Sequence, residues 1–488
     1  MPLLTELLSV ASDSLDISQN IETVVIDNVT CDSRKVHEGS LFVALKGEKM
    51  DATQFAAQAV SDGAVAILCA DDAAIDVAVP VIKSANPRRS LAQIAAAFYG
   101  KQPAHMVGIT GTDGKTSTAD FYRQFMHLMG WESASIGTLG VLSGENELLY
   151  PGTHTTPDPV VLHEWLAGMN ADYVSVEVSS HGLDQHRMDG VKLEAAAFTN
   201  FARDHLDYHK TEEAYFTAKA RLFSALLPEG GTAVLNQDDG RFAELSAMCK
   251  ERGHRIIGFG KNGSEFTLEK LELLPHGQRA TLNLLGKNYT IDVPLVGAFQ
   301  TMNILGALGL VVGTGGDMEA ALAVVPKLAG VPGRLEQVAQ LDCGASVFID
   351  YAHTPMALAN ILNTVRPHTQ NKLHVVFGCG GDRDAGKRPE MGKIAAEFAD
   401  HVVVTDDNPR SEDPALIRAA IMAAAAGAKE VADRKEAIYV ALGQLRAGDV
   451  LVIAGKGHEK TQTIGDQVIA FDDAEIARTG VKELRLTA

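Results

Sequence analysis

The sequence predicts an α/β protein of three domains. Its 488 residues exceed what one core organises, and about three domains suit that length. Continuous apolar strands alternate with helices, the pattern of a mainly parallel sheet covered on both faces. Glycine and proline punctuation at Gly100-Lys-Gln-Pro103 and at Gly330-Val-Pro-Gly-Arg334 interrupts the series twice. The expected domains are therefore residues 1–100, 101–332 and 333–488.

In the first of these, Ser40-Leu-Phe-Val-Ala-Leu45 reads as a buried strand and Phe55 to Val60 as a helix ending near Gly63. Ala64 to Leu68 is the next strand, and an alanine-rich helix runs from Leu91 to Tyr99. The middle domain opens with the strand Met106-Val-Gly-Ile-Thr110. The helix Lys115 to Met129 follows, with Phe121, Phe125, Leu128 and Met129 on one face. Further strands are Tyr173 to Val178, Ala195 to Thr199 and Thr232 to Leu235. From Arg255 to Val296 apolar and polar residues alternate between polar turns, which predicts an antiparallel appendage to the same domain. The last domain has strands at Val347–Asp350, Leu373–Phe377, His401–Thr405 and Val450–Ala454. Each ends at, or just before, Asp, Gly or Thr, and ligands of open α/β sheets bind at the carboxyl ends of strands.

Composition narrows the function. Hydrophobic residues make up 46% and charged residues 22%, as in a folded soluble protein. A net charge of −19 argues against nonspecific binding to nucleic acid or anionic membranes. It leaves anionic substrates open, provided that clustered Arg, Lys or backbone N–H groups receive them. Met1 to Gln19 has no signal-peptide pattern, and no apolar run has membrane length. Cys31, Cys69, Cys249, Cys343 and Cys379 are scattered without CxxC spacing, which argues against a disulfide frame or a zinc site. A cytoplasmic protein is expected.

Between the strand Met106–Thr110 and the helix from Lys115 lies Gly111-Thr112-Asp113-Gly114-Lys115-Thr116. Its glycines let several backbone N–H groups face one point, and the helix N-terminus adds partial positive charge. Lys115 suits β/γ-phosphate oxygens and the Thr116 hydroxyl suits Mg²⁺. Ile109 stands where the longer GxxxxGK[ST] pattern has Gly, so this is a shorter GxxGKT form.

Two polar clusters follow buried strands, Glu177-Val-Ser-Ser-His-Gly-Leu-Asp-Gln-His-Arg187 and Arg203-Asp-His-Leu-Asp-Tyr-His209. Glu177 suits a cation and Arg187 a phosphate or carboxylate. The spacing of His181, His186, His205 and His209 is poor for zinc, and a phosphate loop points to magnesium with oxygen ligands. By periodicity alone Lys219, in Tyr215-Phe-Thr-Ala-Lys-Ala-Arg-Leu-Phe223, reads as a surface lysine.

Taken in order, these segments resemble the Mur ligase family. The likeness runs through Cys31-Asp-Ser-Arg34, the loop 111–116, Thr155-Thr-Pro157, Glu177-Val-Ser-Ser-His181 and Arg203–His209. It continues through Gly333-Arg334, Asp350-Tyr-Ala-His-Thr-Pro355, Gly380-Gly-Asp-Arg383, Asp407-Asn-Pro-Arg410 and Gly455-Lys-Gly-His-Glu459. The resemblance implies a small N-terminal α/β domain that holds a uridine nucleotide, a central P-loop ATPase domain and a Rossmann-like C-terminal domain that carries the incoming amino acid. It implies an ATP-dependent ligase that activates a carboxylate as an acyl phosphate and joins it to an amine, in peptidoglycan precursor synthesis. The partners it implies are small molecules, ATP, a UDP-muramyl dipeptide and meso-diaminopimelate, with Mg²⁺ as cofactor; a monomer is expected, although the sequence itself does not give the oligomeric state.

Residue by residue, the resemblance puts ATP at Gly111, Thr112, Asp113, Gly114, Lys115, Thr116, Ser117, Asn303, Arg334 and Asp350, with His353 beside them. The muramyl dipeptide falls to Ser33, Thr155, Thr156, Ser179, Gln185 and Arg187. Metal placement falls to Thr116, Glu177 and His205, and to Lys219 as a carbamate formed with CO₂. This implication reverses the surface reading of Lys219, because a protonated amine cannot ligate Mg²⁺ whereas a carbamate offers anionic oxygens. Lys115, Lys219 and His205 are the implied catalytic set. Diaminopimelate falls to Arg383, Asp407, Asn408, Arg410, Gly455 and Glu459, with Glu459 pairing the distal ammonium. Arg410 carries the specificity, since diaminopimelate has a distal carboxylate that a guanidinium can grip and lysine has none. A helix-entry ion pair of Arg410 with Glu412 or Asp413 is the structural alternative. Two positions depart from the family. Asp113 stands where many relatives have Asn, and Ala52 where Gly is expected in a turn. A folate polyglutamate or cyanophycin-type ligase and a P-loop nucleotide switch are the competing functions.

Overall fold

The structure, a computed structural model, describes every residue except Glu48, Lys49, Thr153 and Ala488, with side chains as far as Leu484. The chain divides into two compact units, Met1–Ser264 with Gly306–Met318, and Glu265–Leu305 with Glu319–Ala488. Among the described residues no helix is long and apolar enough to cross a membrane.

The first unit holds two sheets. One has five strands in the order Leu15–Ile17, Val81–Ser84, Ala64–Ala70, Ser40–Ala44, Asn28–Thr30, parallel except for the first. Ser40–Ala44 is buried throughout, as its unbroken apolar run requires. The helix behind it spans Pro87–Tyr99, starting four residues before Leu91 because the Asn86 side chain accepts from Arg89 N and Pro87 occupies the first turn. It stops at Gly100, whose φ of 69° closes the helix in the left-handed region. Ala52 begins a 3₁₀ turn, Ala52–Phe55, and Asp51 accepts from the Thr53 N–H and hydroxyl. Alanine fits this turn, which is how the chain does without the expected glycine.

The second sheet of this unit runs Arg255–Gly260, Thr232–Asn236, Ala195–Phe198, His105–Thr110, Tyr173–Glu177, Ser133–Gly137, Gly140–Ser143, Glu147–Tyr150. The first six are parallel and the last two antiparallel. Its core includes Met106, Val174, Val176, Phe198, Phe216 and Phe223. Arg255–Gly260 pairs parallel with Thr232–Asn236, so the predicted antiparallel stretch begins only after it. Register aligns Glu177 with Ile109 and Phe198 with Thr110. The polar residues that follow these strands therefore emerge at the carboxyl end of the sheet.

In the second unit Phe266–Leu274, Gly277–Leu284 and Lys287–Val293 pair antiparallel. A six-stranded sheet runs Glu336–Gln340, Ser346–Asp350, Val450–Ala454, Leu373–Phe377, His401–Val404, Lys429–Glu430, antiparallel only at the first pair. Asp350 and Ala454 are register partners, which brings the segments after both strands to one end of the sheet. The C-terminal helix Asp473–Thr487 is anchored by a fully buried ion pair, Arg434 to Asp473, at 2.7 Å. The same Arg434 nitrogen, Nη2, also donates to the Ala454 carbonyl at 3.0 Å.

Candidate active site

The loop after His105–Thr110 turns on Gly111, φ 146°, and Gly114, φ 79°, values that side chains other than glycine rarely adopt. A Cβ on Gly111 would also collide with the Thr199 hydroxyl. Asn200 holds the loop from the neighbouring strand end. Its amide oxygen accepts from Thr112 N at 3.1 Å and Asp113 N at 2.8 Å, and its carbonyl accepts again from Thr112 N at 2.9 Å. The Thr199 hydroxyl donates to the Asp113 carbonyl at 2.6 Å. Only the backbone of Asp113 is engaged in these bonds, and its carboxylate is exposed. The extra charge thus meets solvent, which reduces its repulsion of an anion.

The Lys115 ammonium donates to the carbonyls of Gly111, at 2.9 Å, and Thr112, at 2.6 Å. Thr116 Oγ1 donates to Glu177 Oε2 at 2.9 Å, and Thr138 N donates to Glu177 Oε1 at 2.9 Å. Glu177 is 2% exposed, and the absence of a Cβ at Gly137 leaves room for its carboxylate. Thr116 and Glu177 are hard oxygen donors side by side, a set that fits Mg²⁺. Among the described residues no three His, Cys, Asp or Glu side chains are grouped to hold a metal. Ser117 is buried in the first turn of the helix.

Lys219 is not at the surface. It is 1% exposed, on the helix Glu212–Arg221, with its Nζ 2.6 Å from the Gly111 carbonyl and 4.4 Å from the Tyr215 ring centroid. Burial, and next the Lys115 ammonium, pull its amine down to about 6. His205 sits in the left-handed region, φ 51°, and its half-exposed ring lies 4.9 Å from His181 and 5.9 Å from Tyr215.

Around the following helix, Thr156 Oγ1 donates to the Glu177 carbonyl at 2.9 Å and accepts from Ser179 N at 2.9 Å. Arg187 donates to the Thr156 carbonyl at 2.7 Å and to Gln185 Oε1 at 2.8 Å. Thr155 Oγ1 lies 3.2 Å from Thr138 Oγ1. A cavity of about 670 Å³ brings Ser33, Gln185 and Arg187 together with Cys31, Arg34 and Arg88. Cys31 is pushed up to about 12 by burial and by Asp158, so its thiol is neutral there.

In the second unit, Asp350 accepts from Leu335 N and Ala352 N, each at 2.8 Å, and burial raises its carboxyl above the usual range. The Arg334 guanidinium lies 5.2 Å from the centroid of the Tyr351 ring, and His353 is 4.6 Å from the same ring. Arg334 Nε is buried without a hydrogen-bond partner. Asn303, on the helix Ala298–Gly313, donates to Gln300 at 3.4 Å.

The second cluster of this unit centres on Asn408. Its Nδ2 donates to Glu459 Oε2 at 2.9 Å, and Asp407 Oδ1 accepts from Asn408 N at 2.7 Å. Gly455, φ 115°, lies so near that a Cβ would stand 2.7 Å from Asp407 Oδ2. Arg410 has φ 53° and donates to the Gly381 carbonyl at 2.8 Å. The helix-entry pairing is not formed. Glu412 pairs with Arg388 at 2.8 Å, and Asp413 caps its own helix through Ala415 N at 2.9 Å. Arg383 is exposed. Glu459 already faces a cation, since Lys456 Nζ lies 3.1 Å from its Oε2.

Sequence reasoning overlooked Asn200, Thr138 and Lys456. Asn200 directly follows a buried strand, the same signal that marked Glu177. Lys456 lies within the Gly455–Glu459 motif, but its partners Asn408 and the Thr461 carbonyl, unlike Glu459, are distant or backbone groups.

Three family models and many relatives match the chain. The Mur ligase family, catalytic domain, matches residues 25–99, the Mur ligase middle domain 109–311, and the Mur ligase, glutamate ligase domain 333–457. The chain is 49% identical over 470 residues to the UDP-N-acetylmuramoyl-L-alanyl-D-glutamate–2,6-diaminopimelate ligase of Rhizobium meliloti, covering 95% of this chain and 96% of that one. A solved structure of a ligase of the same name is 33% identical with a TM-score of 0.73, covering 96% of this chain and 97% of the other. The MurF ligase of Thermotoga maritima, solved with ADP, is 18% identical with a TM-score of 0.61 over 96% of this chain and 100% of its own, and shares the fold. From its first sheet to its last, the chain belongs to the Mur ligase family.

Proposed function

We propose that this chain is an ATP-dependent, ADP-forming ligase of peptidoglycan precursor synthesis. It joins meso-2,6-diaminopimelate to UDP-N-acetylmuramoyl-L-alanyl-D-glutamate in the cytoplasm. The full-length likeness to the Rhizobium meliloti ligase carries the reading. The N-terminal domain, residues 1–100, takes the uridine end, 101–332 the nucleotide and 333–488 the amino acid.

The D-glutamate side-chain carboxylate attacks the γ-phosphorus of ATP, ADP leaves, and an acyl phosphate forms. The diaminopimelate amine then attacks the acyl carbon, and phosphate departs from the tetrahedral intermediate as the amine loses its proton. Two anions must meet in the first step. The Lys115 ammonium and the loop N–H groups offset that repulsion. Thr116 and Glu177, with His205 added by the family likeness, would hold Mg²⁺, which would supply Lewis-acid charge there. Ser33, Gln185 and Arg187 hold the UDP-muramyl dipeptide along the cavity they line, with Thr155, Thr156 and Ser179 at its peptide end.

Lys219 is carbamylated in this reading. Its neutral amine attacks CO₂, a C–N bond forms, one proton leaves, and an anionic carbamate remains. An amine with a pKa of about 6 is mostly unprotonated at neutral pH and so is competent for this.

Purified protein is assayed for phosphate release with ATP, the UDP-muramyl dipeptide and either meso-diaminopimelate or lysine. Release that needs both the dipeptide and diaminopimelate is expected. Release without any amino acid would indicate a nucleotide switch, and use of a folate or cyanophycin-type acceptor would indicate another ligase.

A further inference from the structure

Lys456 lies in the loop between the strand Val450–Ala454 and the hairpin strand Thr461–Ile464, and it is 0% exposed. A buried ammonium is costly unless its three protons find acceptors. Here they do. Nζ donates to the Thr461 carbonyl at 2.6 Å, Glu459 Oε2 at 3.1 Å and Asn408 Oδ1 at 3.3 Å.

These bonds fix the two side chains they reach. Asn408 Oδ1 accepts from both Lys456 and Thr463 N, the latter at 2.9 Å, which sets the amide orientation and turns Nδ2 to Glu459. Glu459 Oε2 then takes both internal bonds, from Lys456 and Asn408. Both of these bonds fall on one oxygen of a carboxylate that is 32% exposed. Gln462, two residues before Ile464, closes the same network by donating to the Asp407 carbonyl at 2.6 Å.

We propose that Lys456 is a positioning residue for the incoming amino acid. It locks the Glu459 carboxylate, directly and through the Asn408 amide, in the orientation that receives the distal ammonium of diaminopimelate. This rests on the diaminopimelate reading of that pocket. The ammonium itself does not touch the substrate. Its effect passes through Glu459, so the two residues are coupled energetically.

The test is a cycle of K456M, E459Q and the double variant, with KM measured for diaminopimelate, ATP and the UDP-muramyl dipeptide. Charge-assisted hydrogen bonds of this kind correspond to roughly 10–100-fold. K456M is expected to raise the KM for diaminopimelate by that amount while the other two KM values stay within about twofold. The double variant is expected to be no worse than E459Q. Equal rises in all three KM values, or additive effects in the double variant, would overturn the proposal. So would a K456M protein that has lost its native circular dichroism and ATP binding, since Lys456 would then be structural. Wild-type protein runs in parallel. If it forms no ADP that depends on diaminopimelate, the reading of the function fails, whatever the variants do.

Discussion

Lys219 Nζ lies 2.6 Å from the carbonyl of Gly111, the residue that opens the phosphate-type loop. A buried amine is thus hydrogen-bonded to the backbone that a triphosphate would approach. The Lys115 ammonium shares the same carbonyl at 2.9 Å. Burial first, and the neighbouring Lys115 charge second, make the charged form of Lys219 costly, so it yields its proton. Lys219→Ala should remove the amine that takes up CO₂. Activity is expected to fall at least about 10³-fold, and millimolar acetate or formate should restore part of it. Turnover measured with and without the added carboxylate checks this, and undiminished turnover in Lys219→Ala would rule out the carbamate.

The same shift predicts a dependence of stability on pH. The unfolded chain holds a Lys219 proton up to its ordinary value of 10.5, whereas the folded chain releases it near 6. Between those values the unfolded state binds more protons, so this group makes the fold more stable as pH rises through that window. Lys219→Met removes the titrating amine. In CO₂-free buffer its thermal midpoint should exceed that of the parent at pH 7, and the gap should close toward pH 10. A gap independent of pH would show that Lys219 titrates alike in both states.

Much of this was legible in the sequence, and Lys219 shows where legibility ended. The strands flanking Gly111 to Thr116 were apparent because buried parallel strands are unbroken apolar runs. The surface reading of Lys219 missed a spacing: it follows Tyr215 by four residues and Phe216 by three and shares their buried face. The general preference of lysine for solvent outweighed that spacing. Ser133–Gly137, Gly140–Ser143 and Glu147–Tyr150 were missed because they are only four or five residues long, and the first two are broken by Gly and Ser. The Arg410 environment was out of reach for another reason. Its contact with Gly381 spans 29 residues, and nothing local signals it.

Arg410 is held without a carboxylate. Glu412, the nearest sequence candidate, is occupied by Arg388, and the Arg410 guanidinium donates to the Gly381 carbonyl at 2.8 Å. Some of its N–H groups therefore remain for a ligand, since a guanidinium carries five. Arg410→Ala should cut kcat/KM for diaminopimelate by roughly 10²–10⁴-fold, with ATP affinity nearly unchanged. Steady-state kinetics and nucleotide binding on the same preparation check both halves. Equal losses would remove Arg410 from the amino-acid pocket.

Glu177 separates a structural from a chemical role within one side chain. Its Oε1 accepts from the Thr138 N–H, which cannot reorient, and its Oε2 accepts from the Thr116 hydroxyl, which can. Glu177→Gln satisfies both if the amide oxygen faces Thr138 and the amide nitrogen faces Thr116, whose hydroxyl turns to accept. The fold should survive with little change in thermal midpoint. The negative charge is lost, so the Mg²⁺ concentration for half-maximal activity should rise about tenfold or more. Glu177→Ala differs, because it leaves the Thr138 N–H without its acceptor at a cost of about 1–3 kcal/mol. That variant should lose both stability and activity. Magnesium titrations of the Gln variant, set beside thermal unfolding of both, decide the matter. An unchanged magnesium requirement in Glu177→Gln would confine Glu177 to holding the Thr116 and Thr138 segments together.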